Sequence, residues 1–114
     1  MNYRTFSCCI FNAQSVVNKL SELHHILYIN NYNIVFITES WLHAGIDMGL
    51  LDPESVYQVL RKDRADTCTG VREGGVCVLI NRRLSVIEVN ISDSYNALEL
   101  VCFDLLYTNN RLRF

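Results

Sequence analysis

The first forty residues combine two apolar runs of strand type with one segment that has the period of a helix. The run 6–11 ends at Asn12, and the run 34–38 ends at Glu39. Between them, apolar residues recur at spacings of four, three and four, the stripe of a helix packed on a sheet, with Ser15 or Asn18 as the residue that caps its start. The stripe consists of Val16, Leu20, Leu23 and Leu27. The pattern predicts a strand, a helix and a parallel strand.

The polar residues that end the two runs are the first candidate for chemistry. A right-handed crossover places its two parallel strands near each other, with their carboxyl ends at the same edge of the sheet. We call this edge the rim, and we expect Asn12 and Glu39 to meet there. Open α/β sheets bind ligands at such an edge. A carboxylate beside an amide suits a hard metal ion and a phosphate oxygen.

The remainder of the chain favours strands. Residues 43–55 contain Gly45, Gly49 and Pro53, which predict an irregular loop with room for one helical turn. Apolar and β-branched runs then predict strands at 56–62, 76–80, 85–91 and 97–106. A charged, glycine-rich loop at 63–75 separates the first two, and short polar turns separate the others. This pattern predicts a meander of β-hairpins.

Composition narrows the class of protein. The 114 residues are 50% hydrophobic and 19% charged, which is typical of one globular domain. Every apolar run is shorter than the roughly 18 residues of a membrane span, and no signal-peptide pattern opens the chain. We therefore expect an intracellular protein without a membrane anchor. The five cysteines lack the paired spacing of a zinc site, and we interpret them as reduced residues, mostly of the core.

Charge gives a mixed indication about nucleic acid. The formal net charge of −2 argues against DNA binding through overall charge. Local charge differs, because Arg61, Lys62 and Arg64 crowd one segment. This basic patch could contact the DNA backbone near the rim, and a solvated loop surface is an equally weighted interpretation.

Several motifs follow one another in a familiar order. They are Asn-Ala-Gln-Ser at 12–15, Asn-Lys-Leu at 18–20 with Glu-Leu at 22–23, Ile-Thr-Glu-Ser-Trp-Leu at 37–42, Tyr-Gln-Val with Arg-Lys-Asp-Arg at 57–64, Gly-Gly-Val at 74–76, and Glu-Leu at 99–100. In this order they resemble the endonuclease domain of non-LTR retrotransposons, which belongs to the endonuclease/exonuclease/phosphatase superfamily. The resemblance implies a two-sheet α/β sandwich, and residues 1–114 match its N-terminal half as part of one domain.

The resemblance also implies an activity and site residues. The family is a Mg²⁺-dependent phosphodiesterase that nicks DNA, which implies DNA as the partner and the nucleus as the location of an active element. The asparagine that matches Asn12 contacts the scissile phosphate, and the glutamate that matches Glu39 is a metal ligand. Mg²⁺ retains several waters and needs only one or two protein carboxylates. We interpret Trp41 as a packing anchor rather than a base-stacking residue.

The chain also departs from the family pattern. The Tyr-Arg-Pro-Pro, Gly-Asp-Phe-Asn and Ser-Asp-His motifs are absent from the 114 residues. Since these motifs supply the general base, we expect a fragment that is inactive by itself, with one sheet face uncovered. Two alternatives remain, a degenerate module that binds nucleic acid or protein, and another phosphodiesterase or phosphatase of the superfamily. The sequence gives no indication of the oligomeric state.

Overall fold

The computed structural model describes residues 6–43, 45–63, 74–89, 101–107 and 110–114. The strands in this part of the chain are β1 Cys8–Asn12, β2 Ile34–Thr38, β3 Tyr57–Lys62, β4 Val76–Asn81, β5 Ser85–Glu88, β6 Phe103–Tyr107 and β7 Asn110–Arg113. The helical elements are a 3-10 turn at Val16–Lys19, helix α1 at Leu20–His24, a π-helical turn at His25–Asn30 and helix α2 at Met48–Leu51. The protein is mixed α/β with two sheets.

The first sheet contains the predicted crossover. Its strand order is β1-β2-β4-β3, and β1 pairs with β2 in parallel. The helical segment 16–30 connects these two strands, so the predicted strand, helix and parallel strand are confirmed. Strand β4 is antiparallel to both of its neighbours, β2 and β3. The carboxyl ends of β1, β2 and β3 therefore lie at the same edge as the beginning of β4.

The predicted meander is wrong at one connection. The hairpin of β3 and β4 forms, but β5 joins a second sheet of order β5-β6-β7, so the chain leaves the first sheet at the turn after β4. Strand β4 is apolar on both faces, and such a strand gains most from a central position with both faces covered. The sequence also predicts a turn at 108–110 with a strand just beginning after it, and the last strand begins at Asn110. Predicted strand residues 90–91 and 97–100 lie outside the described residues.

The helical segment packs on one face of the first sheet. Leu23 and Leu27 are buried together with Val35, Ile37 and Leu79 from the sheet. The apolar stripe is confirmed, with Val16 also buried and Leu20 partly buried against the same cluster. Burial of each aliphatic side chain contributes about 1.5–3 kcal/mol, which makes this contact the main stabilising feature of the crossover.

The ends of the helical segment differ in how far they were predictable. Asn30, Asn31 and Asn33 are poor residues for a helix interior and predict a turn before β2, which is confirmed. Asn31 has φ 56°, and its amide donates to the carbonyl of Ile26 over 3.1 Å, which ends the π-helical turn. Ser15 precedes the segment, but its side chain makes no capping hydrogen bond. Asn18 lies inside the 3-10 turn. The predicted side-chain cap is therefore wrong, because the chain enters the segment through a left-handed residue, Ser15, with φ 79°.

The other face of the first sheet contacts the second sheet. Phe103 is buried with Ile34, Val78 and Ile80 from the first sheet, and its ring stacks on that of Phe114 with centroids 5.2 Å apart. The coverage is incomplete, because Ile10 on β1 is 73% exposed. The prediction that one face of the sheet is uncovered is therefore confirmed for β1. It is wrong for the middle of the sheet, which the second sheet covers.

The described cysteines are reduced, as predicted. Cys77 is fully buried in β4, and burial raises the pKa of its thiol to about 12. Cys8 is exposed rather than part of the core, because it lies on the uncovered face of β1. Cys68 lies outside the described residues. Within the described part of the chain, no helix has the length and apolar character needed to cross a membrane.

A buried carboxylate organises the second sheet. Asp104 on β6 is 2% exposed and accepts hydrogen bonds from Arg113 on β7, from Nε over 2.7 Å and from Nη2 over 3.1 Å. Arg111 lies on the same carboxylate, with its Nε 3.3 Å from Oδ2. The hydrogen bonds from Arg113 are the main cause that lowers the pKa of Asp104 below its ordinary value.

We expect this pair to make stability depend on pH. Since the folded pKa of Asp104 is depressed, its contribution to the free energy of unfolding is complete above the unfolded pKa of about 3.9 and is lost as the pH falls through the folded value. Urea unfolding of wild type and Asp104→Asn should therefore differ clearly at about pH 7, and the difference should shrink at a pH below the unfolded pKa of about 3.9. An equal difference at both pH values would contradict this role.

Candidate functional site

The ends of β1 and β2 meet at the rim as predicted. Asn12 lies opposite Thr38 in the parallel register, with an exposed side chain. Beyond the strands, the amide of Ala13 donates to the carbonyl of Thr38 over 2.9 Å, and the amide of Ser15 donates to the carbonyl of Glu39 over 3.0 Å. The backbone pairing thus continues past both strands and joins the segments that carry Asn12 and Glu39. The chemical roles of these two residues stay predictions.

A second set of backbone hydrogen bonds holds the turn after β2. The amide of Ser40 donates to the carbonyl of Gly75 over 3.2 Å, and the amide of Trp41 donates to the carbonyl of Gly74 over 2.8 Å. Both glycines have φ 88°, a conformation that side-chain-bearing residues rarely adopt. The residues before β4 therefore fix the path of the turn that contains Glu39.

Backbone strain is concentrated at the rim. Six described residues other than glycine have positive φ, and four of them lie in the two segments joined here. These are Gln14 at 45°, Ser15 at 79°, Glu39 at 52° and Trp41 at 55°. Such conformations cost on the order of 1–3 kcal/mol each and cluster at functional sites. This clustering makes the rim a candidate site on geometric grounds as well as from the sequence.

The carboxylate of Glu39 is oriented by a side chain two residues away. The indole Nε1 of Trp41 donates to Glu39 Oε2 over 2.8 Å, and both side chains are half-buried. Trp41 therefore does more than the predicted packing, because it holds one oxygen of the carboxylate in place. An ionised carboxylate accepts about four hydrogen bonds or ligand contacts, so capacity remains for a metal ion.

The side-chain oxygen atoms at the rim suit Mg²⁺ as a ligand set better than they suit a transition metal. In the part of the chain that the structure describes, no three His, Cys, Asp or Glu residues lie together as a metal cage. Mg²⁺ does not need such a cage, since it binds through one or two carboxylates and otherwise retains water or substrate oxygens. Glu39 with an exposed amide at Asn12 matches that requirement.

Lys19 is a rim residue to which sequence reasoning assigned no role. Its ammonium group reaches back from the end of the 3-10 turn and donates to the carbonyl of Ala13, and over 3.3 Å to the carbonyl of Gln14. It thereby stabilises the strained turn that follows Asn12. The Asn-Lys-Leu motif contained the signal, but only the path of the chain shows that the side chain returns to β1.

The three residues of the predicted basic patch have different surroundings. Arg61 lies on the helical face of the first sheet and donates to the carbonyls of Ile46 over 2.9 Å and His43 over 2.8 Å, and to Asp63 over 2.7 Å. These contacts fix the loop after Glu39. Arg64 lies outside the described residues, and the contact of all three with DNA stays a prediction.

Lys62 lies on the opposite face from Arg61. The register pairs Asn12 with Thr38, Thr38 with Val76, and Val76 with Lys62, so these four residues form one row across the sheet. Residues in such a row project from the same face. Three strand spacings place Lys62 about 14 Å from Asn12 along the row. Of the patch, Lys62 is the described residue that shares a face with the candidate site.

A cavity of about 400 Å³ lies away from the rim. It adjoins Asp52, whose carboxylate accepts from the amide of Tyr57 over 2.7 Å and from the hydroxyl of Tyr28. Burial and then the bond to Asp52 raise the pKa of Tyr28 to about 12. Since these groups satisfy one another, the cluster connects the helical segment to β3 rather than presenting free groups to a ligand.

Comparison of the chain with models of known protein families finds no match, and comparison with curated proteins finds none either. The assignment to the retrotransposon endonucleases therefore stays a prediction from the sequence motifs.

Substitution of Gly74, with Gly49 as the control, tests the strained backbone conformation at the rim. Gly74→Ala should lower the free energy of unfolding by about 1–2 kcal/mol, because φ 88° strains any residue with a Cβ. Gly49→Ala in helix α2 is the matched control: its Cβ would lie 3.6 Å from Oδ1 of Asp47, which caps this helix, and the change should be neutral or stabilise by up to about 1 kcal/mol. Urea unfolding measures both, and a neutral Gly74→Ala would contradict the strained turn.

Proposed function

We propose that this chain is the N-terminal part of a Mg²⁺-dependent phosphodiesterase domain that acts on DNA, with a sandwich of the endonuclease/exonuclease/phosphatase type. The observation that supports the proposal best is the parallel register of β1 and β2, in which Asn12 is followed by residues bonded to the segment of Glu39. The amide of Asn12 and the carboxylate of Glu39 then lie at the same rim. The indole of Trp41 holds this carboxylate in place, in a turn whose backbone is strained.

The proposal assigns separate tasks to the rim residues. Glu39 binds the metal ion with the oxygen capacity that Trp41 leaves available. Asn12, whose side chain is exposed, contacts a phosphate oxygen through its amide group. When bound, Mg²⁺ supplies Lewis-acid stabilisation of the charge that develops on the phosphate. The chain lacks the Ser-Asp-His motif that would activate water, so binding rather than turnover is the property to measure first.

Metal binding gives the first test of this proposal. Titration of the isotope-labelled chain with Mn²⁺, a paramagnetic substitute for Mg²⁺, should broaden the amide signals of Asn12, Ala13, Glu39 and Ser40, because the ion binds at the rim. Glu39→Gln should abolish the broadening, since the amide removes the charge that a hard cation requires. Mg²⁺ should compete with Mn²⁺ in the wild type.

Glu88→Gln is the matched control, because Glu88 is an exposed carboxylate on β5 in the second sheet. It should leave the broadening unchanged. Broadening that persists in Glu39→Gln would contradict the metal site. Efficient nicking of supercoiled plasmid by the wild-type chain, abolished in Glu39→Ala, would support the site and refute the expected inactivity of the 114 residues.

Lys62, which lies on the same face of the sheet as Asn12, favours the alternative of a module that binds nucleic acid without catalysis. Lys62 makes no hydrogen bond or ion pair with another described residue, and an apolar groove of about 190 Å³ lies on the same face, lined in part by Ile10, Phe36 and Val76. A module that has lost catalysis can still bind the DNA backbone through such a cation.

The binding-module alternative predicts that substitutions at Lys62 and at Arg61 have different effects on DNA binding. Lys62→Gln should weaken binding of a short duplex and reduce the slope of log affinity against log salt by about 1, because one phosphate contact is lost. Arg61→Gln should lower stability but leave that slope unchanged, since its guanidinium contacts the protein. Fluorescence anisotropy at several salt concentrations measures this. A slope that Lys62→Gln leaves intact excludes Lys62 as a phosphate contact.

A further inference from the structure

Lys19 is a half-buried cation whose described partners are all backbone carbonyls. Its Nζ donates to Ala13 and Gln14, whereas Arg61 donates to a carboxylate as well as to carbonyls. Among the described residues, no carboxylate lies within ion-pair distance of Lys19. Carbonyl dipoles compensate part of the lost hydration of an ammonium group, but they leave its full positive charge in place.

Two hydrogen bonds made by Ala13 set the position of the Lys19 charge. Ala13, which accepts one of the hydrogen bonds, follows Asn12 directly and donates its own amide to the carbonyl of Thr38. The ammonium group is therefore fixed beside the carboxyl end of β1, at the rim. An ammonium group has three donors, and the two carbonyls use two of them. The third has no partner among the described residues.

We infer that Lys19 binds a phosphate oxygen of the ligand at the rim, and that it does so without a metal ion. The two carbonyls orient the ammonium group, and its remaining donor forms a charge-assisted hydrogen bond to the anion. This inference rests on the proposed function, because it extends the same site from the metal side to the phosphate side. It adds a fixed cation at the end of β1, whereas Glu39 follows the neighbouring strand β2.

The test uses phosphate in the absence of any divalent ion. Inorganic phosphate, and separately a thymidine dinucleotide with one phosphodiester, should shift the amide signals of Ala13, Gln14 and Lys19 in the labelled wild-type chain. The dinucleotide distinguishes a phosphodiester from a free phosphate as the source of the bound oxygen. Lys19→Met should lower the affinity by about tenfold, the effect expected for loss of one charge-assisted bond.

Three further variants separate charge from folding. Lys19→Arg should retain phosphate binding, because it keeps both the charge and the donors. Lys19→Gln should lose it while its amide can still donate to one carbonyl. Arg82→Gln, which removes an exposed cation that donates to Ser55 beyond the end of β4, should leave it unchanged. If Lys19→Met and Lys19→Gln fail to fold, the ¹⁵N signal of the Lys19 ammonium group in the wild type provides the measurement. Absence of any phosphate-induced shift there overturns the inference.

Glu39→Gln distinguishes this inference from the proposed function. That variant should lose Mn²⁺ binding but keep or strengthen phosphate binding, since it removes a negative charge from the rim. Phosphate binding in a chain that binds no metal would refute the metal site and support Lys19. Metal binding with no response to phosphate would support the metal site and refute Lys19.

Discussion

The parallel pairing of β1 with β2 is the constraint on which the candidate site depends. Side chains alternate between faces along a strand, so a slip of one residue would move Asn12 from the open face to the helical face. The pairing is set by the crossover, whose buried leucines cover the helical face of both strands. Packing in the core therefore determines which polar groups reach the rim.

The hydrogen bonds between Tyr28, Asp52 and Tyr57 reinforce that constraint from the far end of the sheet. The hydroxyl of Tyr57 on β3 donates to the carbonyl of Tyr32 over 2.7 Å and lies 3.1 Å from the carbonyl of Leu27, at the end of the crossover. Asp52 connects the loop before β3 to Tyr28 on the same crossover. The crossover is thus tied to β3 as well as packed on β2, and it cannot rotate without breaking buried polar contacts.

The sequence predicted what depends on local period and order, and it failed where distant packing decides. The stripe of Val16, Leu23 and Leu27 and the ends at Asn12 and Glu39 were readable because helix and strand periods are local. The central position of β4 was not, because it depends on both of its faces being covered. The protein partners of Arg61 were not predictable either, because the carbonyls of Ile46 and His43 that accept its hydrogen bonds lie 15 and 18 residues earlier in the chain. Positive φ at Glu39 and Trp41 had no local signal, since neither residue is glycine.

The described hydrogen bonds that attach the Glu39 turn to Gly74 and Gly75 join one peptide group to another. Any residue except proline has the amide that this attachment requires at positions 40 and 41. The backbone path of the turn can therefore survive extensive change in its side chains, whereas the orientation of the carboxylate also depends on the indole of Trp41. The path depends on the two glycines before β4, which lie about 35 residues further along the chain. A lineage could lose every recognisable side chain of this turn and still retain its shape.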